Sequence, residues 1–592
     1  MQAVFLHTID DVKHCLKHRL HKDAKLFSAN VNVVYYLRHK CGIVCQDLCS
    51  YLNPQEIQVL RETTLRSNSS LVRELDQRIA PELNRQLGLD IRYFDPLYLF
   101  VGARQLFIYM SMACCFRQML DRFSIDSILV YEGNLGPLKS SIRTFLAQAF
   151  PAIDVRIVDY SSPVQNSKIL IRGYDINEIE RLVYQYIHHD FQDKVLKQQG
   201  KSKNNILVFE PMYGSLEVLE FLTRQTGEKS VYCFKPSIFA NDSSYEYEIG
   251  SHFFPDSDSL KSIYLAQEDM KVMLLLLYKS ISNAFCKNIV KYLSILLFYK
   301  KLHEDTPIQS AYWEIPPHFQ EVGALALVLE YFMTNQRTEV VGVQARATYL
   351  VGQRANPYTF VGIFNRCHYY LTQGFRSEDI DILHPNNLKK ASIISPNIVV
   401  DMNIEQTVSF PKRKMVDVAI YITPTSSFLQ TGQIDSNVEI QAAWLGLLND
   451  KIEKNIHVVT YGKPTFENCA MLSLLETLHN ITIVKDVEMH NYFTQYAPQI
   501  VLMDVPTKFL IDVFPEDTTI ILMKGDSQFE LREAVDLLKK RVHYAETLEE
   551  AKHLLQMFFE GKLDKKQDNT YIRKFCNQEG LKEKLLQRIG GS

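Results

Sequence analysis

Val416-Asp417-Val418-Ala419-Ile420-Tyr421-Ile422, running into Thr423-Pro424-Thr425-Ser426-Ser427, is the stretch on which the reading of this chain turns. An apolar run of strand length breaks into a small polar loop, and a helical stretch from Val438 to Leu448 follows. A second apolar run, Ile456 to Tyr461, ends in Gly462-Lys463-Pro464-Thr465, and further strands are expected over 481–484, 500–503 and 519–523. Strands separated by helices predict a parallel sheet, since a parallel pair needs a long crossover and the helix covers the sheet face. Such sheets take ligands at the carboxyl ends of their strands. Thr425, Ser426, Ser427, Lys463, Thr465 and Asp504 all fall at those ends, and Thr507 and Lys508 follow closely.

The same pattern occurs further upstream. Ser127 to Tyr131 reads as a strand, Glu132-Gly133-Asn134-Leu135-Gly136-Pro137 as a turn, Lys139 to Phe150 as a helix and Val155 to Val158 as the next strand. This is a βαβ pattern whose turn lacks the GxGxxG dinucleotide fingerprint. A polar stretch at 195–205 precedes a fresh strand, Ile206 to Phe209, and later strands are expected over 311–315, 339–344 and 368–371. The expected organisation is an α/β domain over 1–170 and a helical connector and polar linker over 171–204. Two Rossmann-like domains follow, over 205–400 and 405–560, facing each other across a cleft. A helix is expected in the closing segment 561–592, on the helical spacing of Ile572, Phe575, Leu581, Leu585 and Ile589.

With 592 residues the chain is too long for one core. A net charge of −3 argues against a general nucleic-acid binder, which carries a basic excess. Acids among the first twenty residues interrupt any signal-peptide core, no apolar run reaches the ~18 residues of a span, and the scattered cysteines suit reduced thiols. A cytoplasmic location is therefore expected. Cys41, Cys45 and Cys49, spaced i, i+4, i+8, would share one helix face, as a metal site or as small buried residues. Residues 271–301 carry six Lys and no acid around two apolar blocks. They read either as core helices with snorkelling Lys or as a peripheral contact with the inner face of the cytoplasmic membrane.

Four stretches carry a family resemblance: Val340-Val341-Gly342-Val343-Gln344, His368-Tyr369-Tyr370-Leu371-Thr372-Gln373-Gly374, Val458-Val459-Thr460-Tyr461-Gly462-Lys463-Pro464 and Asp504-Val505-Pro506-Thr507-Lys508. With them, residues 205–590 resemble bacterial surface-carbohydrate glycosyltransferases of the GT-B type, which make capsule or O-antigen. The resemblance implies that the closing helix over 561–592 crosses back to the first of the two Rossmann-like domains. The third stretch resembles the strand leading to a Lys-Pro-His-Pro signature, and the first a strand ending in Gln-His-Gly. This chain has Thr465-Phe466 and Ala345-Arg346 at those places, so both signature imidazoles are absent.

The resemblance implies transfer of a sugar from a nucleotide-sugar donor to a glycan or lipid-linked acceptor, without a metal or other cofactor. Such chemistry needs charge stabilised on the leaving phosphate and a base for the acceptor hydroxyl. Thr425, Ser426 and Ser427 would cradle the donor phosphate, with Lys463 as a point charge. Thr465, Asp504, Thr507 and Lys508 would complete the donor side. Glu210 and Glu314, at strand ends, are the candidate bases, and Arg346 is a candidate electrostatic group. A catalytically silent GT-B-like protein that binds a glycan or a partner, and a nucleotide-sugar epimerase, are the other two readings.

Overall fold

The protein is described by a computed structural model covering residues 1–53, 101–131, 151–158 and most of 413–575, the elements named below within 169–394, and single positions or short runs between these segments. It is an α/β protein whose sheets are parallel. The first sheet has the order β3-β2-β1-β4-β5, from β1 (Gln2–Leu6), β2 (Ala24–Ser28), β3 (Cys45–Asp47), β4 (Ser127–Tyr131) and β5 (Asp154–Val158). A two-stranded ladder joins β6 (Ile169–Arg172) to β9 (Tyr245–Glu248). β6 crosses the expected boundary at 170 and pairs with the unit after the linker.

The second sheet runs β13-β12-β11-β10-β7-β8, built from β7 (Asn205–Phe209), β8 (Ser230–Phe234), β10 (Ile308–Ile315), β11 (Glu339–Gln344), β12 (Tyr369–Leu371) and β13 (Ser392–Ile394). The third runs β16-β15-β14-β17-β18-β19, from β14 (Lys414–Ile422), β15 (Ile456–Thr460), β16 (Ile481–Lys485), β17 (Tyr496–Met503), β18 (Thr519–Met523) and β19 (His543–Ala545). In β14, Ile420 lies between Val458 of β15 and Leu502 of β17. Five successive residues of β14, Val418 to Ile422, are buried, as a strand covered by helices on both faces requires. Each large apolar side chain removed from water there contributes roughly 1.5–3 kcal/mol.

The first and third sheets share a core. Val4, Leu6, Val33 and Leu37 belong to the same buried apolar cluster as Val418, Ile420, Val458 and Leu472. Two short helices of the first unit matter for the site: α1 (Ile9–Lys17), capped by Thr8 with a reciprocal Asp11 box, and α2 (Val31–Lys40), capped by Asn30.

The cysteine stripe is corrected. Gly42, at φ +67°, ends α2 just after Cys41, and the Ile43 amide closes onto the Leu37 carbonyl. Cys45 then lies in β3 and Cys49 in a 3-10 turn, so the three do not share a helix face. In the basic segment, the described residues Ile295 to Tyr299 are buried, and Tyr299 packs edge-on against Phe332. That part of the apolar block faces protein; residues 271–294 lie outside the described residues. Among the described residues, no helix is long and apolar enough to cross a membrane. The closing helix is described over Thr570–Phe575, where Tyr571 and Ile572 are buried and Lys574 pairs with Glu533 of the third unit. Leu581, Leu585 and Ile589 lie outside the described residues, as does nearly all of the helix expected over 139–150.

Candidate functional site at the carboxyl edge of the third sheet

From β14 the chain builds outward through β15 to β16, then returns to lay β17 on the other side of β14. The loops after β14 and β17 therefore diverge, leaving the crevice in which open α/β sheets take ligands. Asp504, just after β17, is fully buried there. Its Oδ2 accepts from Thr423 Oγ1 at 2.7 Å, from Asn437 Nδ2 at 3.2 Å and from the Gln441 side-chain amide. A buried carboxylate is tolerable only when so bonded, and the three donors tie the ends of two strands to the helix Asn437–Asn449. Asp504 thus holds the edge together from beneath.

The expected phosphate cradle lies in the loop after β14. Thr425 is 4% exposed and Ser427 3%. The Thr425 hydroxyl donates to Asn32 Oδ1 and accepts from the Ala470 amide at 3.0 Å, while its own amide donates to the Asn468 carbonyl at 2.9 Å. Ser427 Oγ lies 3.4 Å from His7 Nδ1. The Phe428 amide donates to the Ala29 carbonyl at 3.2 Å. Ser426 is half-buried. Of the next loop, Lys463 and Thr465 are exposed, and the Thr465 amide donates to Asn468 Oδ1 at 2.7 Å. Gly462, at φ +73°, makes the turn that lifts Lys463 outward.

Thr425, Ser427, Lys463 and Thr465 are therefore on two loops bonded to each other. The partners across this edge come from the first unit, where residues 205–400 were expected. His7 and Thr8 end β1, and Asn30 and Asn32 open α2. Glu467 crosses the gap: its Oε1 accepts from the Ile9 amide at 2.9 Å and its carbonyl from Asn32 Nδ2 at 2.9 Å. Burial raises the Glu467 carboxyl above its ordinary range, the Ile9 bond opposes that, and Asp10 and Asp11 add to the rise. Lys40 pairs with Glu476, and Tyr36 meets Phe466 edge-on at 5.1 Å.

His7 is the residue that the sequence reading missed. It is 1% exposed, and burial lowers its imidazole to about 4, against a smaller opposing pull from Asp11. Its Nε2 has no hydrogen-bond partner among the described residues. Asp11 Oδ2 accepts from the His7 and Thr8 amides at 2.9 and 2.8 Å, which fixes the bend after β1. The strand-end rule that singled out Thr425 would have found His7, since Ala3-Val4-Phe5-Leu6 is an apolar run ending there. Glu210, Arg346, Thr507 and Lys508 lie outside the described residues. Glu314 is in β10 of the second sheet, and its side chain is likewise not described.

No family model and no curated protein matches this chain. Solved structures similar to part of it include UDP-GlcNAc 2-epimerase from Neisseria meningitidis bound to UDP-GlcNAc, at 12% identity over 66% of this chain and 100% of that one, with a TM-score of 0.35. A spinosyn rhamnosyltransferase overlaps at 13% identity, 66% and 100% coverage and a TM-score of 0.35. The glycotransferase of kitacinnamycin overlaps at 10% identity, 66% and 99% coverage and a TM-score of 0.38. At this overlap the likenesses carry no argument, and the α/β assignment rests on the strand orders above.

Proposed function

We propose that the protein is a glycosyltransferase-like protein that takes a nucleotide-sugar at the carboxyl edge of the third sheet and transfers its sugar to a glycan or lipid-linked acceptor of surface polysaccharide biosynthesis. The observation that carries this reading is the opposition of two parallel sheets, each with its strand order reversing at its first strand, by the loops at their carboxyl ends. Both crevices then open on one seam, as a reaction between two bound substrates needs. In this reading Lys463 supplies charge to the donor phosphate and Ser426 and Thr465 line its approach. Thr425 and Ser427 form the cradle, Asp504 fixes the loops, and Thr507 with Lys508 continues the donor side. The proposed bases, Glu210 and Glu314, and the proposed electrostatic group, Arg346, belong to or closely follow strands of the second sheet, so in this reading that unit, not the first, brings the acceptor to the donor. A catalytically silent binding protein is the second reading, supported by the engagement of the Thr425 hydroxyl with Asn32.

Calorimetry with UDP-, GDP- and CMP-sugars tests the site. Lys463→Ala should weaken binding by ~1.5–3 kcal/mol, the scale of a charge-assisted bond, and leave folding stability nearly unchanged because the side chain is exposed. Lys485→Ala, at the end of β16, is the control and should bind like wild type. Equal affinity of wild type and Lys463→Ala would remove Lys463 from the donor site. Binding without turnover in the presence of cell-envelope lipid extract would favour the silent reading.

A further inference from the structure

The groups best suited to hold a phosphate at this edge are already holding protein. The one hydroxyl proton of Thr425 is given to Asn32, so it is not available to a phosphate oxygen. Asn32 is committed in both directions, accepting from Thr425 through Oδ1 and donating to the Glu467 carbonyl through Nδ2. On the facing side, the free amide of Ile9 at the start of α1 is the position at which a helix attracts an anion. The anion found there is the Glu467 carboxylate, 2.9 Å away. Ser427 is turned toward His7. Each unit thus fills the other's ligand position.

We propose that this seam is an autoinhibitory clasp, in which His7, Asn32 and the start of α1 hold Thr425, Ser427 and Glu467, and that a nucleotide phosphate binds at Thr425 and Ser427 by breaking those contacts. The proposal rests on the reading of this edge as the donor site. Opening is local. It parts the polar contacts of Thr425, Ser427 and Glu467 from α1 and α2, while Cys469 and Ala470 stay in the apolar core shared by the two units. Polar contacts suit such a device, because each is worth little net and is replaced on opening by water or by the ligand. The clasp therefore sets affinity through the fraction of molecules already open.

The test uses the full chain with UDP, GDP and CMP as probes. Asn32→Ala and, separately, Glu467→Gln should bind the preferred nucleotide about tenfold more tightly than wild type, since each removes a contact that binding must break. In wild type, adding that nucleotide should speed hydrogen exchange at the Ile9 and Phe428 amides, whose partners, the Glu467 carboxylate and the Ala29 carbonyl, lie across the seam. Equal affinity across wild type and variants, or unchanged exchange at both amides, overturns the clasp and leaves the donor site standing. No nucleotide binding by any of the three proteins overturns both. The exchange experiment decides the matter in wild type alone if either variant folds poorly.

Discussion

At His7 a buried imidazole ties stability to pH. Its folded-state value of about 4 lies below the ordinary 6.5, so the unfolded chain binds more protons between those values. Its contribution is fully present above about pH 6.5 and is lost as pH falls toward 4, a swing of about 3 kcal/mol at most. The protection of the Val4 and Phe5 amides, taken relative to the intrinsic exchange rate at each pH, should therefore fall between pH 7.5 and 4.5 by more in wild type than in His7→Gln, which stays neutral throughout. Identical pH dependence in the two proteins would show that His7 does not titrate in this way. His7 also shows where sequence reading stopped. Thr425 and Lys463 were placed at strand ends by the strand rule alone. That Thr425 bonds to Asn32, 393 residues away, is a tertiary fact that no local spacing contains.

Among the elements, those with continuous apolar runs were legible. Strands β4 and β18 have the limits that the apolar runs predict, and β14 and the helix Asn437–Asn449 differ only at their ends. β17 starts four residues before the apolar run, at Tyr496, and includes Pro498. It can do so because β18 pairs with β17 only from Ile500 onward, so Pro498 borders β14 alone. β3 contradicts the helix expected from the four-residue repeat of Cys41, Cys45 and Cys49, because the chain leaves α2 at Gly42, with its positive φ, before Cys45 is reached. The helix Leu548–Phe559 carries a legible signal of its own in Thr547-Leu548-Glu549-Glu550, a capping box. Thr547 Oγ1 accepts from the Glu550 amide at 3.2 Å, and Glu550 Oε2 accepts from the Thr547 amide at 3.3 Å. Thr547→Ala should cost about 1 kcal/mol and Thr547→Ser much less, read from chemical denaturation of the third unit. Equal loss from both would mean that the hydroxyl is not the stabilising group.

Over the whole molecule, the third sheet is finished by the segment after Phe559. Lys566 Nζ donates to the Lys539 and Val542 carbonyls at 2.7 and 3.0 Å, and Arg541 Nη1 donates to the Lys566 and Thr518 carbonyls at 3.0 and 3.3 Å. Burial lowers the Arg541 guanidinium to about 10, so this cation depends on those carbonyls. Ending the chain at 561 should destabilise the third unit by about 3 kcal/mol, one or two bonds to buried charge, measured as a lower thermal midpoint. An unchanged midpoint would make the segment a passive tail. A helix is expected here from apolar spacing, and a crossing one from the family resemblance. Its described start packs beside the helix Arg532–Leu538 because Tyr571 and Ile572 bury there and Lys574 reaches Glu533.

The long sequence separation across the seam also sets a timetable for synthesis. β1 and α2 leave the ribosome before the groups that cover their carboxyl edge, Thr425 and Glu467, which follow roughly four hundred residues later. At about 5–20 residues per second, that edge waits on the order of 20–80 seconds for its cover. The first unit must therefore stay soluble as a nascent domain with its clasp groups in water. Its polar rim of His7, Asn30, Asn32 and the Ile9 amide is suited to that wait, because water can occupy each of these groups until the last unit arrives.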